Sequence, residues 1–293
     1  MPLLARAHPM RSMSALVVRR DILETMARRT KTAAPLVAGA LQELQASVSE
    51  QEIGRLIGRV QKVSAPADAG RLGWVVIDIS RGALAAGRDL AADHVPQALG
   101  PPARDLARST LTERATRWAE KRSSTLVVAV DEGVKEAIRA VIATGVKANL
   151  HTRALTKLVR ETIPLDPRRA KSLANMRVRL ATIDTPDDVA EKRIARYAAK
   201  LLTQRAEVIA RTEVFSAINE GRIDLWRELA REKVVEERAI VRQWLTARDE
   251  RICEICEGID GATSGLEGDF MGVAGMPPVH PACRCTVTIE VKT

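Results

Sequence analysis

The chain has 293 residues, 46% of them hydrophobic, and its only aromatic residues are four Trp, one Tyr and two Phe. Ala, Leu, Val, Arg and Glu dominate, a composition that favours helices and argues against a β-sandwich. No apolar run approaches the length of a membrane span, so we expect a soluble protein with no membrane partner. The formal net charge of +9 favours an acidic partner.

The N-terminal part of the sequence predicts helices separated by short breaks. Apolar residues repeat at helical spacing from about Arg19 to Leu44. Ser49 and Glu52 have the spacing of a capping box, in which each residue bonds the other at a helix start. Residues 65–70, which read APADAG, are typical of a loop.

Two further segments bear on the domain organisation. Residues 74–79, WVVIDI, fit either a short strand or a buried helical turn. Residues 96–102, PQALGPP, form the clearest linker, because Pro and Gly interrupt regular structure. We therefore predict a helical N-terminal region of unassigned role over 1–100, a helical region over 101–195, and a C-terminal domain over 196–293.

The central region predicts a series of short helices. One is expected over residues 106–118. Asp131 has the position of an N-cap for the next helix, which should end near Gly145. Thr152 then opens a short helix, and Pro164 closes it because proline cannot continue the backbone hydrogen bonds.

Two pairs that end in proline mark the starts of later helices. In Asp166-Pro167, the Asp is an N-cap and the Pro takes the first helical position, where it is best tolerated. Thr185-Pro186 repeats the arrangement before a long helix. Because glycine interrupts a helical pattern, we expect that helix to stop at Gly221 and a separate one to follow.

Two segments near the C-terminus predict β-strands. Residues 240–246, IVRQWLT, are β-like with Trp244 as an apolar anchor, and residues 286–291, TVTIEV, alternate cleanly. We expect them to pair as an antiparallel ribbon covered by the long helix. The predicted fold is therefore mainly α, an α+β arrangement with a small C-terminal ribbon.

The cysteines are all gathered near the C-terminus. Cys253 and Cys256 form a C-x-x-C pair, Cys283 and Cys285 form a C-x-C pair, and His280 lies three residues before Cys283. Two short clusters that each supply two donors from a tight turn are what a tetrahedral metal needs. The sequence therefore predicts one structural zinc ion.

Five donors are available for four tetrahedral positions. Cys253 and Cys256 are the secure pair, and His280 with Cys283 repeats their spacing. Cys285, however, would point to the same side of an extended strand as Cys283, because alternate strand residues share a face. We favour Cys253, Cys256, His280 and Cys283 as ligands, with Cys285 as the alternative.

Disulfides, iron and plain reduced thiols are alternative interpretations of this cluster. The first twenty residues carry four Arg and no acid, which is more typical of a short basic arm than of a transit peptide. They contain no signal-peptide core, and Met10 and Met13 are alternative start sites. We therefore expect the reducing cytoplasm, where a Cys cluster indicates a metal before a disulfide, and zinc before a rubredoxin-like iron.

A catalytic metal would need an open coordination position and a nearby base. The acids close to the cluster are Asp249, Glu254, Glu257 and Asp260. Neither the H-x-E…P-C-x-x-C order of zinc deaminases nor H-E-x-x-H is present. Solvated turn residues are the simpler interpretation of these acids.

The positive charge is concentrated in the first two thirds of the sequence. Residues 1–199 hold 33 Lys and Arg against 21 Asp and Glu, a net of +12, whereas residues 200–293 hold 13 against 16, a net of −3. Such a region favours nucleic acid or an acidic protein surface, and solvated helix faces are the simpler alternative. Because aromatic residues are few, any DNA contact would be to phosphates and independent of sequence.

A recognisable pattern of residues occupies the C-terminal third. Its members are Ala210, Arg211, Thr212, Glu213, Ala217, Asn219, Gly221, Trp244, Asp249, Arg251, Cys253, Cys256, Asp260, Gly261, Phe270, Pro277, Pro278, His280, Pro281, Cys283, Arg284 and Cys285. This pattern resembles the phage Mu F-like minor head protein family, also called phage head morphogenesis proteins, over roughly residues 125–290.

The resemblance implies a minor capsid protein of a tailed phage or prophage that acts beside the portal during head assembly. Its implied partners are the portal protein and capsid or scaffold proteins, with an influence on DNA packaging or ejection. Its implied location is the virion, and the host cytoplasm during assembly. Some relatives carry a toxin domain after the last motif, and we expect none here because the sequence ends eight residues past Cys285.

We expect structural roles, and no catalytic residues, for six members of the pattern: Arg211, Glu213, Asn219, Trp244, Asp249 and Arg251. Arg211 and Glu213 are expected to make a buried ion pair or hydrogen bond that braces the ribbon. Asp249 and Arg251 lie next to the C-x-x-C turn of Cys253 and Cys256, the first metal knuckle, and are expected to brace that turn. The predicted protein is therefore not an enzyme.

Two other classes of protein are alternatives, an enzyme and a basic DNA-binding regulator. Residues 122–125, RSST, faintly resemble the Ser-Thr-Ser step of ADP-ribosyltransferases, but the E-x-E pair Glu50 and Glu52 precedes that step instead of following it. A zinc-dependent nuclease would need an ordered His and base that the sequence lacks. A basic DNA-binding regulator is disfavoured because the part that would hold the metal is acidic.

Overall fold

The chain folds as a mostly helical protein with one small antiparallel sheet near its C-terminus, as the sequence predicts. The computed structural model describes residues 13–58, 70–95, 99–107, 113–148, 150, 152–183, 185–247, 249–273 and 275–292. The helices of these residues are α1 Met13–Ala46, α2 Glu50–Gly58, α3 Gly70–Asp93, α4 Gly100–Ala107, α5 Glu113–Lys147, α6 Thr152–Thr162, α7 Pro167–Thr182, α8 Asp187–Arg231 and α9 Glu254–Gly258.

Two predicted helix starts have the expected hydrogen bonds. Before α2, the Ser49 N–H and hydroxyl donate to the Glu52 carboxylate at 2.9 and 2.7 Å, and the Glu52 N–H donates to Ser49 Oγ at 3.2 Å. Before α7, Asp166 accepts the Arg169 N–H at 3.0 Å, and Pro167 takes the first helical position. Both arrangements satisfy amide groups that the first turn of a helix leaves without partners.

Helix α5 is longer than the sequence predicts. It is continuous through Asp131, which therefore does not cap a separate helix. Instead the Asp131 carboxylate lies 3.1 Å from Lys135 Nζ, one turn later on the same helix. Such an i,i+4 pair gives a mid-helix aspartate a partner without a helix break. The helix predicted over 106–118 crosses residues 108–112, which lie outside the described residues.

The ambiguous segment 74–79 is helical and lies within α3. Pro101 and Pro102, which belong to the predicted linker, instead form part of the first turn of α4, where a missing N–H costs nothing. Residues 96–98 of that linker and residues 65–69 of the predicted loop lie outside the described residues. So do Arg6 and Arg11 of the predicted basic arm.

Helix α8 does not stop at Gly221, so the predicted break and the separate helix after it are wrong. The glycine lies where α8 and α3 approach each other backbone to backbone. A Cβ on Gly221 would lie 2.0 Å from the Leu84 carbonyl oxygen, and a Cβ on Gly87 would lie 2.1 Å from the Ile218 carbonyl oxygen. Only glycine fits at either position, so a close helix crossing outweighs its poor helix propensity.

A buried ion network adjoins this crossing. The Arg88 guanidinium on α3 donates to Asp224 of α8 at 3.1 Å, to Glu228 of α8, and to the Leu106 carbonyl oxygen at 2.7 Å. All three charged side chains are buried. A buried cation is strongly destabilising without such partners, so the two carboxylates tie α3 to α8 at this point.

The sheet has three antiparallel strands in the order β2-β1-β3: β1 Ile240–Leu245, β2 Thr263–Gly265 and β3 Thr286–Val291. The two predicted strands are confirmed as neighbours, with Ile240 opposite Val291 and Leu245 opposite Thr286. Strand β2 pairs with the other edge of β1, and at three residues it is too short to show an alternating pattern. Strand β1 is thus the central strand.

The described chain divides into two compact units. The first unit takes its residues from Met1–Thr30, Ile79–Ala119 and Arg211–Thr293, and the second from Lys31–Asp78 and Glu120–Ala210. The first contains the sheet and a core around the buried Trp226. The second contains α2, α6 and α7. The domain boundaries near residues 100 and 195 stay predictions. No helix in the described part of the chain is long and apolar enough to cross a membrane.

Candidate metal centre

The five predicted ligands lie together beside the start of β3. Cys253 caps the short helix α9, and its Sγ accepts the Cys256 N–H at 3.4 Å. His280 and Cys283 lie in the loop before β3, and Cys285 directly precedes that strand. None of the four cysteines is in a disulfide. Two overlapping groups of three donors, each within 4.8 Å, share the buried Cys256: Cys253, Cys256 and His280, and Cys256, Cys283 and Cys285.

The spacing of the donor atoms fits a tetrahedral zinc ion. Zn–S bonds of about 2.3 Å and Zn–N bonds of about 2.1 Å place sulfur pairs about 3.8 Å apart and sulfur–nitrogen pairs about 3.6 Å apart. His280 Nε2 lies 3.2 Å from Cys253 Sγ and 3.5 Å from Cys256 Sγ, and Cys256 Sγ lies 3.8 Å from Cys283 Sγ. The residues present therefore fit the metal that the sequence predicts.

The imidazole of His280 is oriented as a metal ligand would be. Its Nδ1 lies 2.9 Å from the Pro281 carbonyl oxygen, which can only accept, so Nδ1 carries the proton. The lone pair of Nε2 is then directed toward the two sulfurs of Cys253 and Cys256. Donation of the other ring N–H to a backbone carbonyl is the usual way in which a metal-bound histidine is held.

The thiols differ sharply in their acidity. Hydrogen bonds from the Cys285 side chain, and from backbone amides, lower the pKa of Cys283 to about 5. Burial raises the pKa of Cys256 to about 12, with a further contribution from the Cys253 thiol. The hydrogen bond to Cys283 and burial raise the pKa of Cys285. Buried thiolates this close repel one another, and a cation is what would let several of them ionise together.

A small apolar core supports the cluster. Trp244 of β1 and Phe270 are fully buried, and their rings meet edge to face with centroids 5.3 Å apart. Cys256, Cys283 and Cys285 belong to the same core, together with Ile259 and Val287. Trp244 is therefore the anchor that the sequence predicts.

Helix α8 holds both ends of the loop that carries His280 and Cys283. The buried Asn219 donates from Nδ2 to the Pro277 carbonyl oxygen at 3.1 Å and accepts from the Thr286 hydroxyl at 3.1 Å. Two turns earlier on α8, the Thr212 hydroxyl oxygen accepts the Ala282 N–H at 3.0 Å. The long helix therefore fixes the loop on either side of these two candidate ligands.

The acids beside the cluster have structural partners. The carboxylate of Asp249 makes a two-pronged ion pair with the Arg284 guanidinium and accepts the Arg251 N–H at 3.0 Å. The bond from Arg284 is the main reason that the pKa of Asp249 falls to about 2. Asp260 accepts the Thr246 N–H at 2.9 Å. These two carboxylates hold turns together and are poorly placed to act as bases.

The sequence model of the family described as "Phage Mu protein F like protein" matches residues 133–288, just over half of the chain. The chain belongs to this Mu F-like family. Membership makes it a phage head morphogenesis protein, and the resemblance predicted over residues 125–290 is confirmed. No curated protein and no solved structure gives a significant match.

The remaining signature residues of the Mu F-like pattern lie on α8 and in the first knuckle. Glu213 is buried, whereas Arg211 is half-buried. Their predicted ion pair or hydrogen bond toward the ribbon stays a prediction. Arg251 is exposed, and its backbone N–H contributes to the turn by donating to the Asp249 carboxylate.

Arg242 is a residue that sequence reasoning missed. Its fully buried guanidinium donates to the carbonyl oxygens of Gly265, at 2.7 Å, and of Gly268 and Gly275, and lies 5.0 Å from the centre of the Phe270 ring. One arginine thereby shapes the whole glycine-rich loop that precedes His280. The signal was present: in an alternating strand, position 242 shares the buried face of Ile240 and Trp244.

We expect Arg242→Lys to destabilise the C-terminal module, meaning residues 240–291, by about 3 kcal/mol, because lysine cannot reproduce a planar fork with three carbonyl acceptors. Urea unfolding of the full chain measures the effect. Arg238→Lys, at a position 85% exposed, is the matched control and should change the free energy of unfolding by less than about 0.5 kcal/mol. Equal stabilities of the two variants would contradict this role.

Proposed function

We propose that this chain is a minor capsid protein that acts beside the portal during head assembly, with its C-terminal module held together by one structural zinc ion. The observation that carries the proposal is the convergence of four cysteines and His280 within the Mu F-like domain, where α8 holds both ends of the loop that carries His280 and Cys283. Cys253, Cys256, His280 and Cys283 are the proposed ligands, and Cys285 is the alternative to His280 or Cys283.

A structural ion is the better proposal than a catalytic one. Cysteine-rich, largely buried sites are usually closed, whereas a catalytic zinc keeps a position open for water. Five donors compete here for four positions, and three of the sulfurs are buried. Of the nearby acids, Asp249 and Asp260 have structural partners, and Glu254 and Glu257 are exposed on α9. We therefore propose that the protein is not an enzyme.

The distribution of charge suggests two different partners. The C-terminal part, with a net charge of −3 over residues 200–293, would dock on protein, namely the portal, the inner capsid or a scaffold. The basic part, with a net of +12 over residues 1–199, would face packaged DNA and bind its phosphates without regard to sequence. The protein would then reside in the virion, and in the host cytoplasm until heads are assembled.

Incorporation into heads tests the proposal. We expect the wild-type chain to copurify with assembled heads, and Cys256→Ser to reduce its copy number at least tenfold, because the module that docks on protein would be unfolded. Quantitative mass spectrometry of purified heads gives the copy number.

The matched control is the double variant Glu254→Gln and Glu257→Gln, which changes the two exposed acids of α9 and keeps every donor. It should enter heads at the wild-type level and support normal assembly. A wild-type chain absent from heads would refute the role in the particle. Normal incorporation of the double variant with failed assembly would indicate catalysis instead.

A further inference from the structure

The basic charge of the second compact unit is concentrated around α7. Residues 147–182 hold nine Lys and Arg against two Asp and Glu, a net of +7. Helix α7 itself contains five basic residues and no acidic one. A helix of this composition has to place its charges either against acids of neighbouring helices or toward solvent.

Two of the five basic side chains of α7 are neutralised locally. Arg177 is buried and lies 2.7 Å from Glu191 and 3.2 Å from Glu161. Arg169 bonds the Asp166 carboxylate that caps the same helix. These pairs account for the basic charge on the inner face of α7, but not for the basic charge on its outer face.

The other three basic side chains form an exposed stripe. Arg168, Lys171 and Arg179 are all exposed, and their spacing of three and eight residues places them on one side of the helix, with the exposed Asn175 between them. None of the three basic side chains has an ion-pair partner among the described residues. At about 1.5 Å per residue, the stripe extends over about 16 Å.

An open depression continues this stripe toward the end of α5. It has a volume of about 530 Å³ and is lined by Thr144, Lys147, Ala148, Asn175, Val178 and Arg179. No acid lines it, and Lys147 at the end of α5 is exposed like the stripe itself. The depression therefore offers two cations together with a hydroxyl and an amide.

We infer that the α7 stripe, meaning Arg168, Lys171, Arg179 and the adjoining Lys147, is the surface that binds the phosphate backbone of DNA. The inference rests on the proposed function for its ligand, since packaged DNA is the polyanion inside a head. Arg, Lys, Asn and Thr are residues that commonly contact phosphates. An acidic protein partner would be expected to meet an apolar centre with a charged rim, whereas the exposed outer face of α7 carries Arg168, Lys171, Asn175 and Arg179.

The triple variant Arg168→Gln, Lys171→Gln and Arg179→Gln tests the surface in the full chain. Each phosphate contact contributes about 0.9 to the slope of log K against log salt, so the slope should become shallower by about 2.7. Binding of a random-sequence duplex, followed by fluorescence anisotropy from low to physiological salt, measures it. Circular dichroism and urea unfolding should show an unchanged fold, because the buried face of α7 is untouched.

The matched control is Arg193→Gln, Arg196→Gln and Lys200→Gln, which removes the same charge from exposed positions of α8 in the same unit. Its slope should change by less than about 1. Equal losses in both variants would show that binding follows net charge, and the stripe would be refuted.

Two other outcomes would also overturn the inference. One is a wild-type chain that enters heads but does not bind DNA at low salt. That result would refute DNA binding and leave the proposed role in the head intact. The other is a stripe variant that keeps its DNA affinity and is lost from heads, which would identify an acidic protein as the partner.

Discussion

Gly221→Ala and Gly87→Ala are each expected to destabilise the first compact unit by about 3 kcal/mol or more, the opposite of the usual effect of alanine in a helix. The new methyl group would lie 2.0 Å from the Leu84 carbonyl oxygen in one case and 2.1 Å from the Ile218 carbonyl oxygen in the other. Because a helix carbonyl group cannot change rotamer as a side chain can, α3 and α8 would have to separate. Separation would also disturb the buried bonds of Arg88 to Asp224 and Glu228.

Equilibrium unfolding in urea, followed by circular dichroism, measures both variants. Gly39→Ala in α1 and Gly54→Ala in α2 are matched controls, because nothing lies within 4 Å of a Cβ at either position. Each control should be stabilised by about 0.5–1 kcal/mol. Since one separation relieves both clashes, the double variant should lose less than the sum of the single losses. A stabilising Gly221→Ala would refute the close crossing.

This crossing shows which features of the fold could be predicted from the sequence. The capping box of Ser49 and Glu52 and the Asp166 cap are made by residues three apart, so local pattern alone identifies them. Gly221 has the same local appearance as a helix end. Its actual role depends on α3, more than a hundred residues earlier in the chain, and no local pattern contains that information.

The features of the candidate site can also be separated into those that local spacing predicts and those that depend on distant residues. The spacing of the cysteines predicts that they converge, because two knuckles joined by a loop can close on one ion without help from distant residues. The residues that support the loop before β3, by contrast, are distant from it in the sequence. Asn219 reaches Pro277 and Thr286 from α8, and Arg242 reaches three glycine carbonyls from β1. Those contacts follow from the tertiary fold, although the place of Arg242 on the buried face of a strand was a usable signal.

Removing the proposed zinc ion from the full chain is expected to unfold residues 249–285 and to leave α6 and α7 folded. Structural zinc contributes about 10–16 kcal/mol in small zinc modules. The core around Trp244 and Phe270 is small, and three of its buried residues are candidate ligands. Without the ion, this core would have to bury closely spaced thiols in place of metal–sulfur bonds. Strands β1 and β3 should lose less, because Ile240, Ile289 and Val291 also contact the core around Trp226.

Elemental analysis of protein purified under reducing conditions should give about one zinc per chain, and hydrogen exchange before and after chelation should locate the loss of protection. Cys256→Ser should abolish binding, because Cys256 belongs to both groups of three donors. Comparison of His280→Ala with Cys285→Ser identifies the fourth ligand. The substitution that removes the ion marks the ligand, and the substitution that leaves the ion bound marks the residue that is not one. Asp249→Asn weakens the pair with Arg284, keeps every donor and should retain the metal. A metal-free chain that stays fully protected over residues 249–285 would show that the thiols pack as an ordinary core and that no ion is needed.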